Sequence, residues 1–150
     1  MADKTSPAAT DDVQASYKVI SYPAAQLPPQ YTNMILSKWK RTLRHGNDYF
    51  KLVESDHFYW AYDKYIDMLM HRTDAIIHLA ILSDDADVVL GWSMARGTCL
   101  DYVWVDPLQR NEGIATALVP QTTQSFTHIT KHALPIWTKK FSHCTFKPFA

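Results

Sequence analysis

Leu100-Asp101-Tyr102-Val103-Trp104-Val105-Asp106-Pro107-Leu108-Gln109-Arg110-Asn111-Glu112-Gly113-Ile114-Ala115-Thr116-Ala117-Leu118-Val119 is the stretch that decides the fold of this chain. It begins as a strand, because aromatic and β-branched residues fill positions 102–105. Asp106-Pro107 is a turn: proline fixes φ, and an Asp side chain bonds the backbone that follows it. Arg110-x-x-Gly113-x-Ala115 then leads into a helix carrying the apolar residues Ile114, Leu118 and Val119. The first N–H groups of a helix have no intrahelical partner, and partial positive charge gathers there. Small residues at 113 and 115 let an anionic group approach that backbone, a geometry suited to a pyrophosphate.

Upstream, Tyr17-Lys18-Val19-Ile20-Ser21 has strand composition, and Pro23, Pro28 and Pro29 mark a turn and a helix entry. Tyr31, Ile35, Trp39 and Leu43 recur every four residues and predict a helix over 30–44, closed by His45-Gly46-Asn47. Ser55 reads as an N-cap for a second helix, with Phe58, Tyr62, Tyr65 and Leu69 on one seam. Residues 75–82 are a mostly apolar strand, 83–87 a polar turn, and 88–96 an antiparallel partner. Downstream, Pro120 breaks the motif helix and is expected to start another helical segment to about residue 131. Residues 134–138 are expected as a short fifth strand, after which little chain remains. The order β-α-α-β-β-β-α predicts an α/β (α+β) domain, with a mixed, mostly antiparallel sheet flanked by helices. Residues 1–16 are small and polar and read as a mobile tail, leaving 17–150 as one domain.

Hydrophobic residues make up 47% and charged residues 20%, the balance of a folded domain. Fifteen basic residues offset fifteen acidic ones, so no whole-molecule charge draws the chain to nucleic acid. Two cysteines, Cys99 and Cys144, make no disulfide framework. The N-terminal residues lack the apolar core of a signal peptide, and no apolar run reaches membrane-spanning length. A cytoplasmic setting with reduced thiols is the expectation.

The central stretch resembles the acetyl-CoA-binding motif of the GNAT superfamily of N-acetyltransferases. The matching residues are Val103-x-Val105-x-Pro107, Arg110-x-x-Gly113-x-Ala115 and Leu118. The resemblance implies a GNAT-like fold and acetyl-CoA as co-substrate. It also implies transfer of an acetyl group to an amine on a small molecule, peptide or protein. By the same resemblance, backbone on Val103 and Val105 would pair with pantetheine. Gln109, Arg110, Asn111, Glu112, Gly113, Ile114 and Ala115 would cradle the pyrophosphate. Asp101 stands where some family members carry a base, although a strand-end Asp also caps turns. The family often draws its acid, a Tyr, from the helix after the fifth strand. Here every Tyr lies at or before Tyr102, leaving His143 as the substitute if it is not merely a surface residue. The chain reads as C-terminally shortened, without the closing helix and hairpin. Its compact size, aromatic first half and abrupt end are similar to bacteriophage GNAT-like proteins. The resemblance leaves open whether the chain is an enzyme or a catalytically inactive phage interaction or virion structural protein.

Two further groupings stand out. His128 and His132 have the spacing of helix neighbours, but no third ligand is near in sequence, so no metal is expected. The aromatic helix over 55–72 carries Tyr59 and Trp60 off its seam, which suggests a face for a protein partner.

Overall fold

The computed structural model describes residues 16–110 and 113–150, and within them six strands make one sheet in the order β1-β2-β3-β4-β5-β6. These are β1 (Tyr17–Pro23), β2 (Ala75–Leu82), β3 (Asp85–Arg96), β4 (Cys99–Val105), β5 (Ser125–Phe126) and β6 (Thr145–Phe146). The first four pair antiparallel, whereas β5 runs parallel to β4 and β6 parallel to β5. Helices α1 (Pro29–His45), α2 (Asp48–Lys51) and α3 (Ser55–Met70) lie between β1 and β2. Helix α4 (Ile114–Leu118) follows β4, and α5 (Leu134–Lys140) separates β5 from β6. The mixed, mostly antiparallel α/β architecture is the one expected. Most of the expected N-terminal tail lies outside the described residues, as do Asn111 and Glu112.

The stripe on α1 is the main support of the core. Tyr31, Ile35, Trp39 and Leu43 are all buried, against Ile77 and Leu79 of β2, Trp92 and Met94 of β3, and Tyr102 of β4. Burying a large apolar side chain contributes about 1.5–3 kcal/mol over leaving it exposed, so this layer dominates the packing. Trp39 stacks on Tyr102 with ring centroids 5.5 Å apart and tilts against Trp92 at 5.4 Å. From α3 come Phe58, Ile66 and Leu69, while Tyr62 and Tyr65 of the expected seam are only half-buried. The cap of α3 is Glu54 rather than Ser55, its carboxylate accepting from the His57 N–H at 3.1 Å. On the other side of the sheet, Ile114 and Leu118 of α4 pack with Ala80, Leu90 and Val105. Trp137 of α5 joins Leu100, Val119 and Phe126 there. No helix of the described residues is long and apolar enough to cross a membrane.

The C-terminal third corrects the sequence expectation. Pro120 does end the motif helix, but residues 120–131 contain no helical segment. Instead the Thr123 N–H bonds the Pro120 carbonyl at 3.0 Å and the chain enters β5 at Ser125. Residues 134–138, expected as a strand, lie in α5, where Pro135 occupies the first turn and no N–H is needed. A helix and a further strand therefore follow the fifth strand, in place of the expected early stop.

Candidate active site

Strands β4 and β5 pair only at Cys99↔Ser125 and Leu100↔Phe126. The Thr127 N–H still reaches the Leu100 carbonyl at 3.0 Å. Past that point the two chains part and open a cleft of about 500 Å³. Tyr102, Val103, Trp104 and Val105 form one wall, and Thr130, His132, Ala133 and Ile136 face them. Gln109, Arg110, Gly113, Ile114 and Ala115 close one end. Seven of the nine residues expected to hold acetyl-CoA thus line one cleft, and the other two, Asn111 and Glu112, lie outside the described residues.

Gly113 is the N-cap of α4 with φ +82°, in the left-handed region where any side chain is strained. A Cβ there would meet nothing within 4 Å, so the turn needs glycine for its backbone angle, not for room against neighbouring protein. With five residues, α4 offers an anion its free N–H groups more than a long aligned dipole. Arg110 is neither simply solvated nor wholly given to a ligand, since its Nε donates to the Val105 carbonyl at 3.2 Å.

Two residues on β3 seat α4. A Cβ on Gly91 would stand 2.7 Å from the Trp104 carbonyl oxygen and 3.0 Å from Leu118, so glycine permits the close approach. Ser93, fully buried, donates to the Leu118 carbonyl at 2.7 Å and satisfies an acceptor that the helix end would otherwise leave orphaned.

The ionisable residues of the described cleft wall are Arg110, His132, Lys139, Lys140 and Tyr102, and no carboxylate is among them. Lys140 reaches across to Thr116 Oγ1 at 3.4 Å, bringing α5 to the motif helix. Reading 134–138 as a strand concealed these two lysines. The available signal was Leu134-Pro135 followed by a basic pair, the pattern of a helix start and a helix end. Tyr102 is a buried aromatic. Its hydroxyl is 2.8 Å from Thr42 Oγ1, which itself donates to the Lys38 carbonyl at 2.6 Å. Tyr102 therefore donates to Thr42, and burial pushes its pKa up to about 12.

No protein-family model and no curated protein matches the chain. Solved structures do match. A protein assigned as an acetyl transferase from Pyrococcus furiosus superposes with a TM-score of 0.60 at 11% identity, covering 83% of this chain and 91% of its own. An aminoglycoside acetyltransferase from an uncultured soil metagenomic sample, solved with trehalose, gives 0.50 at 13% identity, covering 92% and 91%. The fold is GNAT-like. At these identities the likeness is one of architecture.

Within this GNAT-like sheet, Asp101 and His143 are not brought together. Simple alternation along β4 would put Asp101 on the face of Val103 and Val105, with Leu100 opposite. The register between β3 and β4 shifts between Met94 and Ala95, leaving Asp101 without a paired residue. This bulge sends Leu100 to the side of Val103 and Trp137, and Asp101 to the side of α3. There Asp101 is fully buried and held at both oxygens by Arg96, at 2.6 and 2.8 Å. It is not the free base at the cofactor wall that the alternation suggested. His143 is exposed beside Phe141 and does not line the cleft. His128 and His132 share no helix: both sit in the irregular segment before α5, His128 against Tyr62 and His132 on the cleft wall.

Proposed function

We propose that the chain is an acetyl-CoA-dependent N-acetyltransferase acting on an amine of a small molecule, peptide or protein. The cleft between β4 and β5 carries this reading. It presents free backbone N–H groups at the start of α4 and a strand edge at Val103–Val105. Among the described residues its ionisable wall is cationic or neutral. That donor set suits a long ligand with phosphates at one end and amide groups along its arm. The N–H groups from Gly113 to Ala115 would hold the pyrophosphate, the Gln109 N–H being already bonded to the Asp106 carbonyl at 2.8 Å. Arg110, Lys139 and Lys140 would offset phosphate charge, and Val103 and Val105 would orient the pantetheine. A backbone N–H near the β4 bulge would polarise the thioester carbonyl.

Calorimetric titration of the full chain with acetyl-CoA tests the reading. Gly113→Glu should abolish saturable binding, because its carboxylate enters the pyrophosphate position. Gly113→Ala carries the same backbone strain without the charge and should keep most of the affinity. Absence of saturable heat from the wild type at millimolar acetyl-CoA would defeat the assignment.

The exposed face of α3 favours a second role beside the first. Trp60 and Met68 are more than half exposed, and Lys64 stands 4.4 Å over the Trp60 ring. This face suits a protein partner, the reading that an inactive phage-type interaction protein would share.

A further inference from the structure

Where β5 leaves β4, five side chains form a hydrogen-bonded line that cofactor binding does not use. Arg96 holds both oxygens of Asp101. Thr127 Oγ1 lies 3.0 Å from Asp101 Oδ1 and 2.8 Å from His128 Nδ1. His128 Nε2 lies 3.2 Å from the Tyr62 hydroxyl. Donor arithmetic fixes the directions. The ion-paired carboxylate can only accept, so Thr127 gives Asp101 its single hydrogen. Nδ1 of His128 must then donate to Thr127, and the neutral ring keeps its lone pair on Nε2. That lone pair accepts from Tyr62.

We infer that Nε2 of His128 is the proton acceptor for the substrate amine, reached through the Tyr62 hydroxyl, with Thr127 and Asp101 as positioning residues. The inference rests on the acetyl-transfer reading and adds to it a proton acceptor beside the cleft, whose described wall carries no carboxylate. Its place supports it. Tyr102, next to Asp101, and Thr130, two residues past His128, both line the cleft, so the line of side chains stands beside the cleft without forming its wall. Tyr62 and His128 are half-buried, open to an amine arriving from the α3 side.

The step balances. A substrate ammonium gives one proton to the Tyr62 oxygen while the Tyr62 hydrogen passes to Nε2. The freed nitrogen lone pair forms the N–C bond at the thioester carbonyl, and the C–S bond breaks with its electron pair leaving on sulfur. The second amine proton goes to that sulfur. Burial holds the His128 pKa below the ordinary imidazole range, opposed by the Asp101 charge and reinforced by Arg96. The ring is therefore neutral and ready at pH 7. Tyr62 and Tyr65 are the other titratable groups facing it, and both are held protonated, Tyr62 with a pKa pushed up to about 12 by burial and then by Tyr65. Tyr62 relays the proton and does not act as the base.

The test uses the full chain, acetyl-CoA, and two amine probes, ethanolamine and a blocked lysine peptide, with CoA thiol release as the rate. His128→Gln should lower kcat by ~10²-fold or more while the acetyl-CoA affinity by calorimetry stays within about twofold. Tyr62→Phe, which removes one hydroxyl from a half-buried ring, should lower kcat in the same direction. Thr127→Val should lower it about tenfold, and Thr127→Ser should restore it. In ¹⁵N-histidine NMR spectra, His128 should show the Nδ1–H tautomer at pH 7 and titrate below the usual midpoint. Full turnover by His128→Gln, or an Nε2–H tautomer, would overturn the proposal. So would saturable acetyl-CoA binding with no thiol release from either probe, and that result would leave the binding assignment standing. Failure of acetyl-CoA to bind at all would remove both.

Discussion

Arg96 and Asp101 are one unit at the scale of single residues. The Arg96 side chain is 9% exposed and that of Asp101 is 0% exposed, so neither charge can exchange its partner for water. Removing one member of a buried pair costs about 3–5 kcal/mol, because the survivor is left desolvated and unpaired. Arg96→Ala should lose about that much stability in denaturant unfolding, whereas Arg96→Lys, which keeps the charge but not the two-pronged geometry, should lose less. A loss under 1 kcal/mol for Arg96→Ala would mean that water reaches Asp101. The sequence identified Asp101 as chemically important but could not show its direction. A bulge is set by how β3 and β4 pair, and a period-2 reading of β4 alone carries no trace of it. His128 and Thr127 were equally hidden, since their meaning comes from Tyr62, 66 residues away in the chain from His128.

At the scale of elements, legibility follows length. Helix α1 runs 17 residues and α3 runs 16, long enough for a repeating apolar stripe to declare itself. β2, β3 and β4 were legible for the same reason. β5 and β6 have two residues each, too few for any period, and are defined by their partners in the sheet. Once β5 was missed, α5 was read as the strand in its place. The seat of α4 on β3 is a contact of this kind, invisible in either element alone. Gly91→Ala would put a methyl group 2.7 Å from the Trp104 carbonyl, a backbone atom that cannot rotate away. Overpacking of this sort costs typically about 1–3 kcal/mol, and here relief requires β4 or α4 to move. Thermal unfolding should show the loss. If melting is unchanged, α4 is not held as closely as this packing requires.

For the whole molecule, charge distribution matters more than net charge. The chain carries fifteen basic and fifteen acidic residues, which argues against attraction to any polyanion. Yet the described cleft wall gathers Arg110, His132, Lys139 and Lys140 with no carboxylate. A field local to one cleft can draw an anionic ligand into a neutral protein, and it is screened over about 8 Å at physiological salt. The phosphate end of acetyl-CoA should depend on that field, and its pantetheine arm should not. An exposed ion pair contributes about 0.2–1 kcal/mol, so reversing both lysines should cost on the order of 1–3 kcal/mol, or about fivefold to a hundredfold in Kd. The double variant Lys139→Glu, Lys140→Glu should therefore weaken acetyl-CoA binding by that factor. The wild-type affinity should fall as salt rises, and the variant's should fall less. Acetyl-pantetheine, which lacks the phosphates, separates charge from shape: its affinity should be weak, nearly salt-independent and equal in both proteins. If the variant loses acetyl-pantetheine as well, α5 has shifted and the lysines act through the fold. If acetyl-CoA binds both proteins alike at low salt, the phosphates lie elsewhere and the cationic wall serves another anion.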